Sequence, residues 1–242
     1  TYTAPEGQVL EAGAIEVMPD GRVAVGTRRG EVWMIANAYD DDPAKAKFSR
    51  YAHGLHEVLG LAARGDWLYV TQRPDVTRIR DSKKAGKADV FECVTDGWEI
   101  NGDYHEYAFG TRFDRDGNIW ITLCLTGSFN SSSKFRGWAG KVTPEGKWVP
   151  TTSGVRSPGG IGFHHDGAVF YTDNQGEWCG ASKLSQLTPG SFHGHPYGIA
   201  STRRPEYVWG YPGDPPEGVL MPEVPALVPS FTLPAAWFPY DK

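Results

Sequence analysis

The chain has 242 residues, 40% of them hydrophobic and 13% aromatic, enough to bury a sizeable core in one all-β unit of this length. A net charge of −5 and an isoelectric point near 5.8 exclude the basic footprint of a nucleic-acid partner. No apolar run approaches the ~20 residues that span a bilayer.

The 30 glycines and 18 prolines punctuate the whole length, which suits many short strands joined by turns better than long helices. The chain opens at Thr1 with neither a signal peptide nor an initiator methionine, as a removed leader or a clipped terminus would leave it. Cys93, Cys124 and Cys179 form no CxxC or CxxCH spacing, so they suit neither a metal site nor a haem, and at least one reads as a buried thiol.

Taken in chain order, four units repeat. They read GAIEVMPDGRVAVGTRRGEVWMI, VLGLAARGDWLYVTQRPDVTRIR, YAFGTRFDRDGNIWITLCLTG and GGIGFHHDGAVFYTDNQGEW. Each has a short apolar run, a tight turn, and an alternating run that reaches a threonine. The turn glycines Gly21, Gly65, Gly117 and Gly167 lie 44, 52 and 50 residues apart, close to the blade period of a β-propeller. Alternation such as Trp67 with Tyr69 and Ile119 with Ile121 is the period-2 signature of strands, predicted near 22–27, 67–71, 118–122 and 168–172. Third strands follow as EVWMI, VTRIR, GWAGKVT and SKLSQLT. The fold class is therefore an all-β propeller of four-stranded antiparallel blades, four of them recognisable, in a single domain over 1–242.

The repeat stops near residue 198. Residues 199–242 are rich in proline, which has no donor for a strand ladder, and read as an extended loop or edge segment. Four blades leave a ring open with exposed edges. The expectation is an incomplete propeller, either a fragment or a subunit whose ring is completed by a second polypeptide.

In a propeller, the loop entering each inner strand and the loop between strands two and three share one face. That face collects His56 and Glu57, then His105 and Glu106, then Arg156, with Arg28, Arg29, Gln72, Arg73, Asp173, Asn174 and Gln175 from the other loops. Asp20, Asp116, His164, His165 and Asp166 fall in turns on the opposite face and read as solvated. The polar face reads in two ways. Its charges pair among themselves, Glu57 with Arg73 for example, because buried charge is costly alone. Alternatively they form a pocket with a general base, His105 or His56, and cations for an anionic ligand.

The runs NGDYHEYAFGTRFDRDGNIWIT, SGVRSPGGIGFHHDGAVFYTDNQGEW and PGSFHGHPYG resemble the glucose/sorbosone dehydrogenase family of six-bladed propellers, which use pyrroloquinoline quinone (PQQ). The similarity spans roughly residues 50 to 200 and is nearest to the bacterial membrane-bound-dehydrogenase type. The resemblance implies His105 as the catalytic base, and Arg156, His56 and Gln175 as cofactor-binding residues. It further implies Glu57, Glu106 and Arg73 toward the substrate, with calcium against the backbone carbonyls of Gly176 and Glu177. A sugar or polyol would lose a proton to the histidine and a hydride to the quinone, in a periplasmic or extracellular setting. The chain departs from the family at Tyr104, where an acidic residue precedes the base, and at Ser157, where an asparagine follows the arginine. The family's other quinone-binding cations come from later blades. Residues Asp81 to Asp89 resemble a calcium loop in which Lys83 and Ala85 replace acidic positions, so they read as a solvated hairpin loop. Two other functions stay open: a non-catalytic carbohydrate- or protein-binding propeller, and a metal-dependent hydrolase or lactonase using His56, Glu57, His105 and Glu106.

Overall fold

The structure is a computed structural model that describes residues 3–100, 102, 104–125, 133–175 and 182–195. The chain divides into two compact units, Thr1–Asp96 and Gly97–Lys242, each built from two sheets.

In the first unit, β1 (Ala12–Val17), β2 (Val23–Thr27), β3 (Val32–Ala36) and β4 (Lys47–Ala52) form one antiparallel sheet in sequence order. The strands β5 (Gly60–Arg64), β6 (Trp67–Thr71), β7 (Val76–Arg80) and β8 (Val90–Thr95) form the next. In the second unit, β9 (Ala108–Phe113), β10 (Ile119–Leu123), β11 (Trp138–Val142) and β12 (Trp148–Ser153) repeat the arrangement. The last sheet has three strands among the described residues, β13 (Pro158–Phe163), β14 (Val169–Asp173) and β15 (Lys183–Gln186), where four were expected. The predicted second strands match β2, β6, β10 and β14 to within a residue or so. No α-helix occurs among the described residues, and none is long and apolar enough to cross a membrane.

The turns show why the strands break where they do. Met18–Arg22, Asp114–Asn118 and His164–Ala168 close with the same pair of backbone bonds, including Gly21 N to Met18 O at 2.9 Å and Gly167 N to His164 O at 2.9 Å. In each, the fourth residue is a glycine at positive φ, as a type I turn with a G1 bulge requires. The β5–β6 hairpin is tighter: Arg64 pairs directly with Trp67 across Gly65 and Asp66. In the β2–β3 turn a different constraint acts. Gly30 lies against the loop that enters β5, and a Cβ there would stand 1.8 Å from the Leu55 carbonyl oxygen.

Within each unit the innermost strands lie side by side, β1 with β5 and β9 with β13. Ala24, Val32 and Met34 from one sheet pack with Val58, Leu61, Leu68, Val70 and Ile79 of the next. In the second unit Trp120, Ala139, Val155, Val169, Tyr171 and Leu187 do the same. Each such large side chain contributes about 1.5–3 kcal/mol on burial, which makes the sheet-to-sheet core the main source of stability.

Candidate functional site

In the first unit, the loop entering β5 carries His56 and Glu57, and the loop after β6 carries Gln72 and Arg73. The side-chain oxygen of Gln72 accepts from the His56 backbone N–H at 2.6 Å, while its amide donates to Asp75 Oδ1 at 2.9 Å and Thr77 Oγ1 at 3.0 Å. The Glu57 carboxylate accepts from Arg73 Nε, and Arg28 Nη2 stands 3.6 Å from its other oxygen. Arg73 is 9% exposed, so this is a largely desolvated pair. Glu57 also holds φ at 50°, a conformation its bonding must support. The alternative in which this face pairs its own charges is therefore what Glu57, Arg73 and Arg28 do. The His56 side chain is exposed.

In the second unit, His105 sits just ahead of β9 and is half-buried. Its ring stands edge-on to Tyr104 at 4.8 Å and to Tyr107 at 6.5 Å. Tyr107 in turn meets Phe109 at 5.8 Å. Phe109 walls a cleft of about 410 Å³ with Ser157, Pro158, Gly159, Thr172, Asp173, Asn174 and Ser182. Glu106, next to the histidine, is fully buried. Arg156 is 7% exposed, and its Nη1 donates to the Gln175 carbonyl at 2.8 Å. The Ser182 hydroxyl links the lip, within 3.3 Å of Asn174 Oδ1 and 2.9 Å of Gln175 Oε1. His105, Glu106, Arg156 and Gln175 thus belong to one unit, and His56, Glu57 and Arg73 to the other.

Beneath the cleft lies a buried polar group that sequence reasoning named only as loop polarity or passed over. Asp173, 2% exposed at the end of β14, accepts from Ser157 N at 2.6 Å and Asn174 N at 3.1 Å through Oδ1. Its Oδ2 accepts from Arg156 N at 3.0 Å and the Tyr171 hydroxyl at 3.3 Å. Lys183, its direct cross-strand partner in β15, is 2% exposed and donates through Nζ to the His193 carbonyl. Burial pushes the Asp173 carboxyl up, against the opposing pull of Lys183 and the three backbone donors. Burial, seconded by Lys183, holds His193 well below the usual imidazole range. The His193 ring meets Ser191 Oγ at 2.9 Å and stands edge-on to Tyr171 at 5.0 Å. The available signals were a lysine on the inward phase of an alternating run, SKLSQLT, and an aspartate directly after the strand threonine.

The residues set aside as solvated behave so. His164 Nδ1 stands 3.0 Å from Asp166 in an exposed turn, and Arg115 donates to the His165 carbonyl. In the Asp81–Asp89 loop, Asp81 accepts from Ala85 N at 2.9 Å and Gly86 N at 2.6 Å. Asp89 accepts from the Ser82 amide at 2.7 Å, with the Lys83 ammonium at 3.4 Å. Its carboxylates are spent on the loop itself. Cys124 is buried and Cys93 exposed. Gly176 and Glu177, Cys179 and residues 199–242 lie outside the described residues. Among the described residues, no three His, Cys, Asp or Glu side chains group as metal ligands.

Comparison with known proteins extends the geometry. A family model described as a domain of unknown function (DUF7133) matches residues 16–193. No curated protein matches the chain. Among solved structures it is similar to a PQQ-bound aldose sugar dehydrogenase of Streptomyces coelicolor, at TM-score 0.60 and 17% identity over 78% of this chain and 63% of that one. It is similar also to the holo PQQ domain of pyranose dehydrogenase from Coprinopsis cinerea, at TM-score 0.59 and 11% identity, covering 76% and 52%. A catalytically inactive virginiamycin B lyase of Staphylococcus aureus, solved with quinupristin, follows at TM-score 0.52 and 17% identity, covering 78% and 56%. The chain spans between about half and two thirds of the lengths of these structures. These likenesses establish the β-propeller fold, and a dehydrogenase and a lyase on one fold show that function has to be argued from the site.

Proposed function

The chain belongs to the family described as a domain of unknown function, DUF7133, and from that premise we propose that it is a quinone-dependent sugar or polyol dehydrogenase, or the larger part of one. The observation that carries this reading is the placement of His105. It enters β9 at the head of an aromatic line, Tyr107 then Phe109, that ends in the wall of the Ser157–Asn174 cleft. An imidazole is the side chain best suited to take a hydroxyl proton near neutral pH.

The donor set suits one side of a carboxylate-bearing quinone. Ser157, Asn174 and Ser182 in the cleft would supply neutral hydroxyls and amides, and Arg156, beside Ser157 and bonded to the Gln175 carbonyl, would supply the cation. PQQ, when bound, would supply the hydride acceptor. This chain's residues would orient it, hold the sugar against Phe109 and take the proton on the His105 ring. His56 toward the cofactor, Glu57, Glu106 and Arg73 toward the substrate, and calcium at Gly176 and Glu177 remain parts of the proposal that rest on the family resemblance. So do a periplasmic or extracellular location, a single propeller domain, and a second polypeptide that completes the ring.

A second reading, a non-catalytic carbohydrate-binding propeller, is favoured by the lining of the cleft. Its lining among the described residues contains no basic side chain, and the Arg156 guanidinium is already engaged by a carbonyl. The metal-dependent hydrolase draws no support, because Glu57 is committed to arginines.

One experiment separates the two. The protein is incubated with PQQ and calcium, quinone binding is followed by absorbance, and dye-linked turnover is measured on a panel of aldoses and polyols. The dehydrogenase reading expects saturable binding and turnover, with His105→Ala lowering kcat by about 10²–10⁴ and leaving quinone affinity unchanged. Sugar binding without quinone binding would establish the second reading instead.

A further inference from the structure

We infer that Asp173 is the positioning residue of the cleft: its buried carboxylate clamps the Arg156–Ser157 turn onto the end of β14 and thereby sets where the Arg156 side chain stands. The consequence for ligand binding rests on the function proposed above; the clamp itself does not.

The geometry of acceptance comes first. Four donors converge on the two carboxylate oxygens: Ser157 N at 2.6 Å, Asn174 N at 3.1 Å, Arg156 N at 3.0 Å and the Tyr171 hydroxyl at 3.3 Å. A carboxylate offers about four lone-pair sites, all accepting, whereas an amide in its place would aim N–H groups at donors on one side. Two successive backbone N–H groups of the turn, Arg156 and Ser157, are held by this one side chain. The return bond, Asn174 N to Ser157 O at 3.2 Å, locks the turn from the other direction.

The first unit supplies the control. Gln72 stands one residue past Thr71 of β6, as Asp173 stands one residue past Thr172 of β14. Gln72 captures the His56 amide, 16 residues earlier, and Asp173 captures the Ser157 amide across the same separation. The blade therefore closes its entering loop with a neutral amide in one copy and a carboxylate in the other. A buried carboxylate is costly, and a neutral acceptor at the same position suffices for the fold. The copy that carries the charge is the one whose loop bears Arg156 and borders the cleft. Lys183, directly across from Asp173 and equally buried, offsets the carboxylate's charge. The Arg156 side chain, 7% exposed, donates through Nη1 to the Gln175 carbonyl.

The test uses amide hydrogen exchange, which needs no ligand, together with quinone affinity. In the wild type, the Arg156 and Ser157 amides should exchange as slowly as those of β13, although they lie in a loop. In Asp173→Asn they should exchange about tenfold faster or more, with β9–β12 unchanged. Where the proposed function holds, affinity for PQQ should fall by about ten- to a hundredfold, and kcat at saturating quinone should change far less. Exchange at solvent rates in the wild type overturns the clamp even if the variant fails to fold, and so does unchanged exchange in a folded Asp173→Asn. Faster exchange with no quinone binding by the wild type keeps the clamp and removes the proposed function. Faster exchange with unchanged PQQ affinity overturns the positioning role.

Discussion

The two units solve one problem differently. Each has to close the loop that enters its second sheet against the end of that sheet's second strand. The first unit does so with a neutral glutamine and caps the result with Glu57 bonded to Arg73, charges that satisfy one another. The second unit does so with a buried aspartate, paired across the sheet with a buried lysine, and its Arg156 is bonded to the Gln175 carbonyl. The contrast teaches that repetition in sequence fixes the framework and leaves the chemistry of equivalent positions free to diverge.

The strongest way to break the comparison is to remove half of the capping pair. Glu57→Ala removes the carboxylate that Arg73, 9% exposed, donates to, and should destabilise the first unit by about 3 kcal/mol in chemical denaturation. Adding Arg73→Leu should restore most of that loss, since a paired deletion leaves no unpaired buried charge. A single variant as stable as the wild type would show that the pair is solvent-screened. Next in size is Gln72→Ala, which removes the acceptor for His56 N and the links to Asp75 and Thr77. It should cost about 1–2 kcal/mol and speed exchange at His56.

The second unit should respond to pH in a way that sharpens the contrast. His193 is held below its unfolded value of about 6.5, so the unfolded chain binds the proton first. Its contribution to stability is complete above that pH and is lost as the pH falls toward the folded value, at up to about 1.4 kcal/mol per pH unit. Asp173 has the opposite sign. Its carboxyl is raised, so protonation on acidification relieves a cost of folding. His193→Gln should therefore flatten the loss between about pH 6.5 and 5 in melting curves of the second unit. An unchanged profile would remove His193 as its origin. The smallest effect belongs to Gly167→Ala. Its φ of 99° is strained for alanine, but the nearest side-chain atom would stand 3.7 Å away, so the cost should be about 1 kcal/mol. Gly30→Ala, driven against the Leu55 carbonyl, should cost considerably more in the same assay.

Much of this was legible in the residues. Turn glycines and period-2 alternation are local, and they located β2, β6, β10 and β14 to within about a residue. The partnership of Glu57 with Arg73 could be named because the repeat puts their loops on one face. The pairing of Asp173 with Lys183 could not. It depends on the register of β14 against β15 across a connection whose length differs from that in the other blades, so no fixed spacing marks it. Nor could Cys93 be told from Cys124: Cys93 is on the exposed phase of β8, whereas Cys124 follows β10, a strand buried on both faces.

The sequence by itself determined the blades, because alternation, turn chemistry and repeat length act between near neighbours. It also named the loops of the first unit whose charges meet, those of Glu57 and Arg73. Tertiary structure decided which polar groups are spent on one another and which border a cleft. It decided too that His193 and His195 of the second unit are fully buried, since desolvation and charge pairing depend on what stands across the sheet rather than along the chain.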